Sequence, residues 1–291
     1  MTEHEQAANN STFAPLVGPV PTLVLADGAI RIERGNEQSK PDELWHGLAV
    51  HPETGEQFTL YVRIGEPRAL MAELLFATIA HALRLPAARP FLVKVPSTAV
   101  AGSRLHAGGT QTVYGCQDAR SKSFAVMLNE TSNNKALLRK WDKLGEVAAL
   151  DEWLINEDRN FGNLIYSNGA FTLIDHAEAF ANQHANLWGL EDLIATDFVS
   201  NRLAQFATEE LSKSKVNAMW ANTQKWLHDK AAALDVKDCI DRSQIEYVRS
   251  PHTHQELVRF IEGRLTFTGS LLCQKLLGQA SLSLQTSSAA T

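Results

Sequence analysis

Between Pro21 and Leu128 the apolar residues fall into short runs, TLVLA, IRIE, GLAV, FTLYVRI, FLVKV and SFAVML, several of which alternate with polar residues. Alternation at period two predicts strands with one buried face. Gly28, the PETGE segment and the glycines after Ala107 supply turns between them. One stretch follows a different period. RALMAELLFATIAHALRLP carries Leu70, Met71, Leu74, Leu75, Thr78, Ile79, Ala82 and Leu83 at helical spacing, with Pro86 just beyond, and predicts a single helix within the sheet. After Asn133 the pattern becomes helical. KALLRKWDKLGEVAALDEWLI keeps Leu137, Trp141, Leu144, Ala148 and Ile155 near one face, predicting one long helix, and Asn186 to Gly278 is mostly amphipathic helix.

The pattern predicts an α+β fold of two lobes: a small antiparallel-sheet lobe with one helix over 16–128 and a larger helical lobe over 129–279. An extended connector is expected near MLNETSN, and disordered tails over 1–15 and 280–291. A cleft between two such lobes is a common place for a small-molecule site.

Composition narrows the class. At 291 residues, 44% hydrophobic and 21% charged, the chain has material for one large core or two smaller ones. The net charge of -6 is spread without a long block of either sign, which argues against direct nucleic-acid binding and against a polybasic membrane anchor. Cys116, Cys239 and Cys273 are distant and odd in number, so neither a disulfide framework nor a zinc site is expected. The polar start MTEHEQAANNST lacks a signal-peptide layout, no apolar run approaches a membrane span, and a cytoplasmic protein is expected.

The chemistry concentrates in NEDRNFGNLIYSNGAFTLIDHAEAF. Asn168-Gly169 is a strong signal for a two-residue hairpin turn, which pairs 167 with 170, 165 with 172 and 163 with 174. Asn163 then sits beside the strand end that delivers Asp175, with Asp158 in the loop just upstream. Two such oxygen donors suit Mg²⁺, which takes one or two side-chain oxygens and completes its shell with waters and substrate phosphates. Asp158 is the candidate to orient or deprotonate an acceptor hydroxyl. A calcium loop is not expected, because its sixth and twelfth positions would be Phe161 and Ser167. Taken singly, each Asp or Asn could equally cap a helix or stabilise a turn. HTH at His252 to His254 is expected to lie in a loop, and the six tryptophans in cores.

A loop Asp, an Asn five residues later and an Asp after a hairpin is the layout of protein-kinase-type phosphotransferases. In detail the segment resembles the HipA-like kinases and, more distantly, the type II phosphatidylinositol 4-kinases, through Asp151, Asn156, Asp158, Arg159, Asn163, Ile174, Asp175, Ala179 and Phe180. The resemblance implies ATP and Mg²⁺ as cofactors, Asp158 as the catalytic residue, and Asn163 and Asp175 as metal ligands. It extends to GNEQSKP as a phosphate loop containing Ser39 and Lys40, and to Arg63 and Glu73 as the basic and acidic pair that orients nucleotide. The family usually has lysine where this chain has Arg63. Asp151, Asn156 and Arg159 are read as support for the catalytic loop. The activity implied is a serine/threonine protein kinase. The alternatives are a phosphoinositide-type lipid kinase, for which no lipidation motif or basic amphipathic helix is found, and a catalytically weak nucleotide-sensing module, motivated by Arg63.

Overall fold

The computed structural model describes residues 16–33, 42–105, 108–181, 194–247 and 252–278. Ser39, Lys40 and both terminal tails lie outside the described residues. The first part is a six-stranded sheet of β1 (Thr22–Leu25), β2 (Ile30–Arg31), β3 (Glu43–Val50), β4 (Gln57–Ile64), β5 (Pro90–Pro96) and β6 (Thr110–Gln117), in the order β1-β5-β6-β4-β3-β2. β1 also pairs with β3, so five of the strands close on themselves. All pairs are antiparallel except β1 with β5. Strand β6 was absent from the predicted runs, since TQTVYGCQ is rich in Thr and Gln, although its Val113 and Tyr114 are buried.

Helix α1 (Pro67–Ala82) starts with proline at its first position, where the missing N–H costs nothing. Every residue from Ala69 to His81 is buried. A helix apolar on all sides must be covered on all sides. The sheet covers one side, and α7 (Val236–Ser243), from the far end of the chain, packs across another. Arg242 of α7 donates to the carbonyls of Gly18, at 3.0 Å, and Leu16, and the Val20 amide donates to the Arg242 carbonyl at 2.8 Å.

The second part contains α2 (Phe124–Glu130), α3 (Lys135–Arg139), α4 (Leu144–Trp153), the hairpin β7 (Leu164–Ser167) and β8 (Ala170–Leu173), α5 (Arg202–Glu210), α6 (Lys213–Trp226), α7 and α8 (His252–Leu277). Four local expectations are corrected. SFAVML forms α2 rather than a strand: of this helix only Phe124 is buried, against Phe161 and Phe171, and strand character stops at one bridge between Ser123 and Ile165. The connector expected near Met127 to Asn133 is consequently helical. The long helix from Lys135 is broken between Arg139 and Leu144, a turn that brings Trp141 onto Phe171 of the hairpin, ring centroids 4.8 Å apart. HTH opens α8 rather than lying in a loop.

Helix α4 is buried from Val147 through Trp153 and is held to α8 by the Trp153 indole, which donates to the Ile261 carbonyl at 2.7 Å, and by Glu152, which pairs with Arg264 and Lys275. This fixes the C-terminal end of α4, from which the loop 154–163 departs. Among the described residues no helix is long and apolar enough to cross a membrane.

Candidate active site

Side chains on neighbouring strands share a face when their residues are register partners. Leu44 pairs with Arg63 and His46 with Tyr61 across β3 and β4, while Tyr61 pairs with Cys116 and Arg63 with Tyr114 across β4 and β6. That face forms the roof of a cleft between the two parts. Ile165 and Ile174 of the hairpin region lie opposite, Gln117 to Ala119 form one wall, and the cavity measures about 260 Å³. Burial pushes the Cys116 thiol up to about 12, so it lines the cleft uncharged.

Arg63 lies at the inner end of the cleft among three carboxylates. Its Nη2 is 2.6 Å from Asp175 Oδ1 and 3.4 Å from Glu73 Oε1, and its Nη1 is 3.2 Å from Asp42 Oδ2. Burial opposes the guanidinium charge, yet Glu73, Asp175 and Asp42 together raise its pKa above the ordinary value. Burial pushes the Glu73 carboxyl up to about 7, against the pull of Arg63. Glu73 Oε2 accepts from the His176 amide at 2.8 Å, which ties α1 to the residue after Asp175.

The hairpin has the register that the Asn-Gly turn predicts: Ser167 faces Ala170 and Ile165 faces Thr172. Asn168 and Gly169 have φ of 50° and 84°, the positive values of a type I′ turn. The Ile174 amide donates to the Asn163 carbonyl at 3.1 Å, which seats Asp175 beside Asn163. The other edge of β8 bonds the segment between α1 and β5, through Leu173 N to Pro86 O at 2.7 Å and Ala88 N to Leu173 O at 2.9 Å. The hairpin is thereby fastened to both parts of the molecule.

Three non-glycine residues around this loop have left-handed backbones: Ile155, Asp175 and Phe180, with φ of 49°, 53° and 57°. The conformation is uncommon for Asp and a clear outlier for β-branched Ile. Such conformations persist where surrounding bonds enforce them. Here the Asn156 amide donates to the Asp151 carbonyl at 2.8 Å and the Phe180 amide to the Leu154 carbonyl at 2.9 Å.

Arg159 is fully buried and organises the loop. Its Nε and Nη2 donate to Asp151 at 3.2 to 3.3 Å, and its Nη1 donates to the carbonyls of Asn163, at 3.3 Å, and Ile174, at 2.9 Å. Asp151 also accepts from Asn156 Nδ2 at 2.9 Å. Burial pushes the Asp151 carboxyl up, against the pull of Arg159 and Asn156. Burial, Arg159 and Arg63 push His176 well below the usual imidazole range, so its ring is neutral. Its Nδ1 therefore accepts from Arg159 Nη2 at 2.9 Å, and the ring stacks on Phe76 of α1 at 4.1 Å.

Asp158 and Asn163 are adjacent. The Asn163 amide nitrogen donates to the Asp158 carbonyl at 2.7 Å, which commits the nitrogen and leaves the amide oxygen as the acceptor atom. Asn160 Nδ2 donates to Asp158 Oδ1 at 3.1 Å. Among the described residues no group of three or more His, Cys, Asp or Glu side chains is arranged as a metal cage. The donor set of the Asn163 amide oxygen and the Asp175 carboxylate is nonetheless the small, hard, incomplete one that suits Mg²⁺.

Of the residues singled out from the sequence, Arg63, Glu73 and Asp175 meet directly, Asp158 contacts Asn163, and Asp151, Asn156 and Arg159 form one buried network. Missed were Asp42, the tie from His176 to Arg159 and Glu73, and Glu157, whose Oε1 accepts from the Ser200 amide at 2.7 Å. Asp42 carries no sequence signal of its own; the β3–β4 pairing of Glu43 with Ile64 sets it opposite Gly65.

Solved structures similar to the chain include the proinflammatory kinase CtkA of Helicobacter pylori, at 12% identity and TM-score 0.43, with 92% of this chain and 100% of that one covered. Another is the PAN3 pseudokinase of Neurospora crassa, at 15% identity and TM-score 0.37, with 94% and 72% covered. No curated protein matches the sequence. The profile of the HipA-like kinases matches residues 52–232, a span that includes Arg63, Glu73, Asp151, the 154–163 loop and Asp175. That span is more than half of the chain, which therefore belongs to the HipA-like kinase family.

Proposed function

We propose that the protein is an ATP- and Mg²⁺-dependent phosphotransferase acting on a serine or threonine hydroxyl of a protein substrate. The observation that carries the reading is the convergence of Arg63, Glu73 and Asp175 in a cleft lined also by Ile174, whose amide bonds Asn163, which in turn bonds Asp158. In this reading the apolar faces of Leu44, Ile165 and Ile174 hold the base and exclude water from it. Arg63, oriented by Glu73, meets the phosphates as a planar two-pronged donor. Asn163 and Asp175 would hold Mg²⁺, which when bound neutralises charge on the phosphate oxygens. Asp158 accepts the proton of the acceptor hydroxyl, and the Arg159 network keeps the loop in place while it does so. The buried carboxylate Asp151 positions Arg159 and touches no reactant.

Two expected outcomes follow from the cleft. Thermal unfolding in the presence of ATP and Mg²⁺ shifts upward, by about 2.7 kcal/mol of stabilisation when ligand is 100 times its dissociation constant, and the shift disappears when EDTA replaces Mg²⁺. No metal-dependent shift with any nucleoside triphosphate would remove the reading. Arg63→Ala weakens nucleotide binding, whereas Arg63→Lys keeps it near the parental value, because an ammonium there still meets Glu73. Parental affinity in both variants would take the strand β4 contact out of the site.

A further inference from the structure

The Arg63 guanidinium carries one more carboxylate than the proposed chemistry assigns to it. Glu73 and Asp175 face Nη2, and each has a role in the reading above. Asp42 accepts from Nη1 at 3.2 Å and has none. Its seat is a built one. Asp42 Oδ1 also accepts from the Glu66 amide, at the start of α1, at 3.3 Å. Gly65 stands directly against the same oxygen, and a Cβ there would come within 2.1 Å of it, so a side chain at 65 would push the carboxylate away. The Asp42 side chain is 11% exposed and that of Arg63 is 8% exposed, so the pair is little screened by solvent ions.

A phosphate recognised by arginine takes two parallel N–H donors of the guanidinium fork. Here both nitrogens at the tip of that fork are engaged within the protein, Nη2 by Asp175 and Glu73 and Nη1 by Asp42. Asp175 is the proposed metal ligand and so has a second use for its carboxylate. Asp42 stays where Gly65 and the Glu66 amide hold it.

We propose that Asp42 is an intramolecular competitor for phosphate: it occupies the Nη1 end of Arg63 and lowers the affinity of the cleft for a nucleoside triphosphate. The inference rests on the nucleotide reading of the cleft. It assigns to the chain a built-in ceiling on nucleotide affinity, set by one residue on the lead-in to β3.

The test is calorimetric titration of AMP-PNP with Mg²⁺ into the full chain and three variants, with circular dichroism to check folding. Asp42→Asn keeps the shape of the side chain and an acceptor for the Glu66 amide but removes the charge. It should bind about tenfold more tightly than the parent, the size of effect expected when one hydrogen bond between charged groups no longer competes. In the Arg63→Ala background the same substitution should change affinity by less than about twofold, because no guanidinium remains to be released. Unchanged or weaker binding by Asp42→Asn, with the parent binding nucleotide, overturns the competition and leaves the nucleotide reading intact. An equal gain with and without Arg63 also overturns it, since the effect would then be long-range charge alone. If neither the parent nor Asp42→Asn binds any nucleotide, the reading of the cleft fails and the inference with it.

Discussion

Asp158→Asn is expected to lower phosphoryl transfer by about 100-fold to 10,000-fold while leaving the affinity for ATP near the parental value, because a general base contributes to the transfer step and not to ground-state binding. The amide keeps the size of the side chain and can still accept from Asn160 Nδ2, which bonds Oδ1 at 3.1 Å. Asp175→Asn behaves differently. It loses a proposed metal ligand and the 2.6 Å pair with Arg63, so both nucleotide binding and transfer should fall. Release of radiolabelled γ-phosphate to protein acceptors in cell extract, or to the chain itself, reads the first effect, and calorimetry reads the second. Equal transfer by the parent and Asp158→Asn would mean that NEDRNFGN is not the catalytic loop. A parent that binds ATP and transfers to neither protein nor lipid would make the chain a nucleotide-sensing module.

The second large effect concerns stability. Arg159→Leu is expected to destabilise the fold by about 3–5 kcal/mol, the cost of removing one partner of a buried ion pair and leaving the other charge unpaired. Asp151 would be that orphan, 2% exposed, with Asn156 alone among the described residues still donating to it. The carbonyls of Asn163 and Ile174 would lose a donor at the same time. Arg159→Lys should recover only part of the loss, since one ammonium cannot reach Asp151, the two carbonyls and His176 together. Equilibrium urea unfolding checks both variants. A loss below about 1 kcal/mol for Arg159→Leu would show that the network does not hold the loop.

What the sequence discloses and what it hides divides along physical lines. The hairpin at Asn168-Gly169 was legible because its turn needs two positive φ values and few residue pairs supply them, and the register followed from the turn. Helix α1 is legible from its 3.6-residue spacing and from Pro86 beyond its end. SFAVML was misread because an alternating run of six residues fits a strand, while the deciding contacts of Phe124 with Phe161 and Phe171 lie about 40 residues away in sequence. The full burial of α1 was hidden for a similar reason: its outer cover is α7, more than 150 residues downstream. In the candidate site, Arg63, Glu73 and Asp175 were found through a resemblance spread over the chain, but Asp42 lies in no motif. It enters through the β3–β4 register and the space left by Gly65, both properties of the folded chain.

Cocrystallisation with AMP-PNP and Mg²⁺ tests the central claim most directly. The base is expected between Leu44 and Ile165, the phosphates against Arg63, and one Mg²⁺ ligated by Asn163 and Asp175, with Asp175 no longer paired to Arg63. Nucleotide bound elsewhere, or an Asp175 that keeps its contact with Arg63 while the cleft stays empty at saturating ligand, would contradict it.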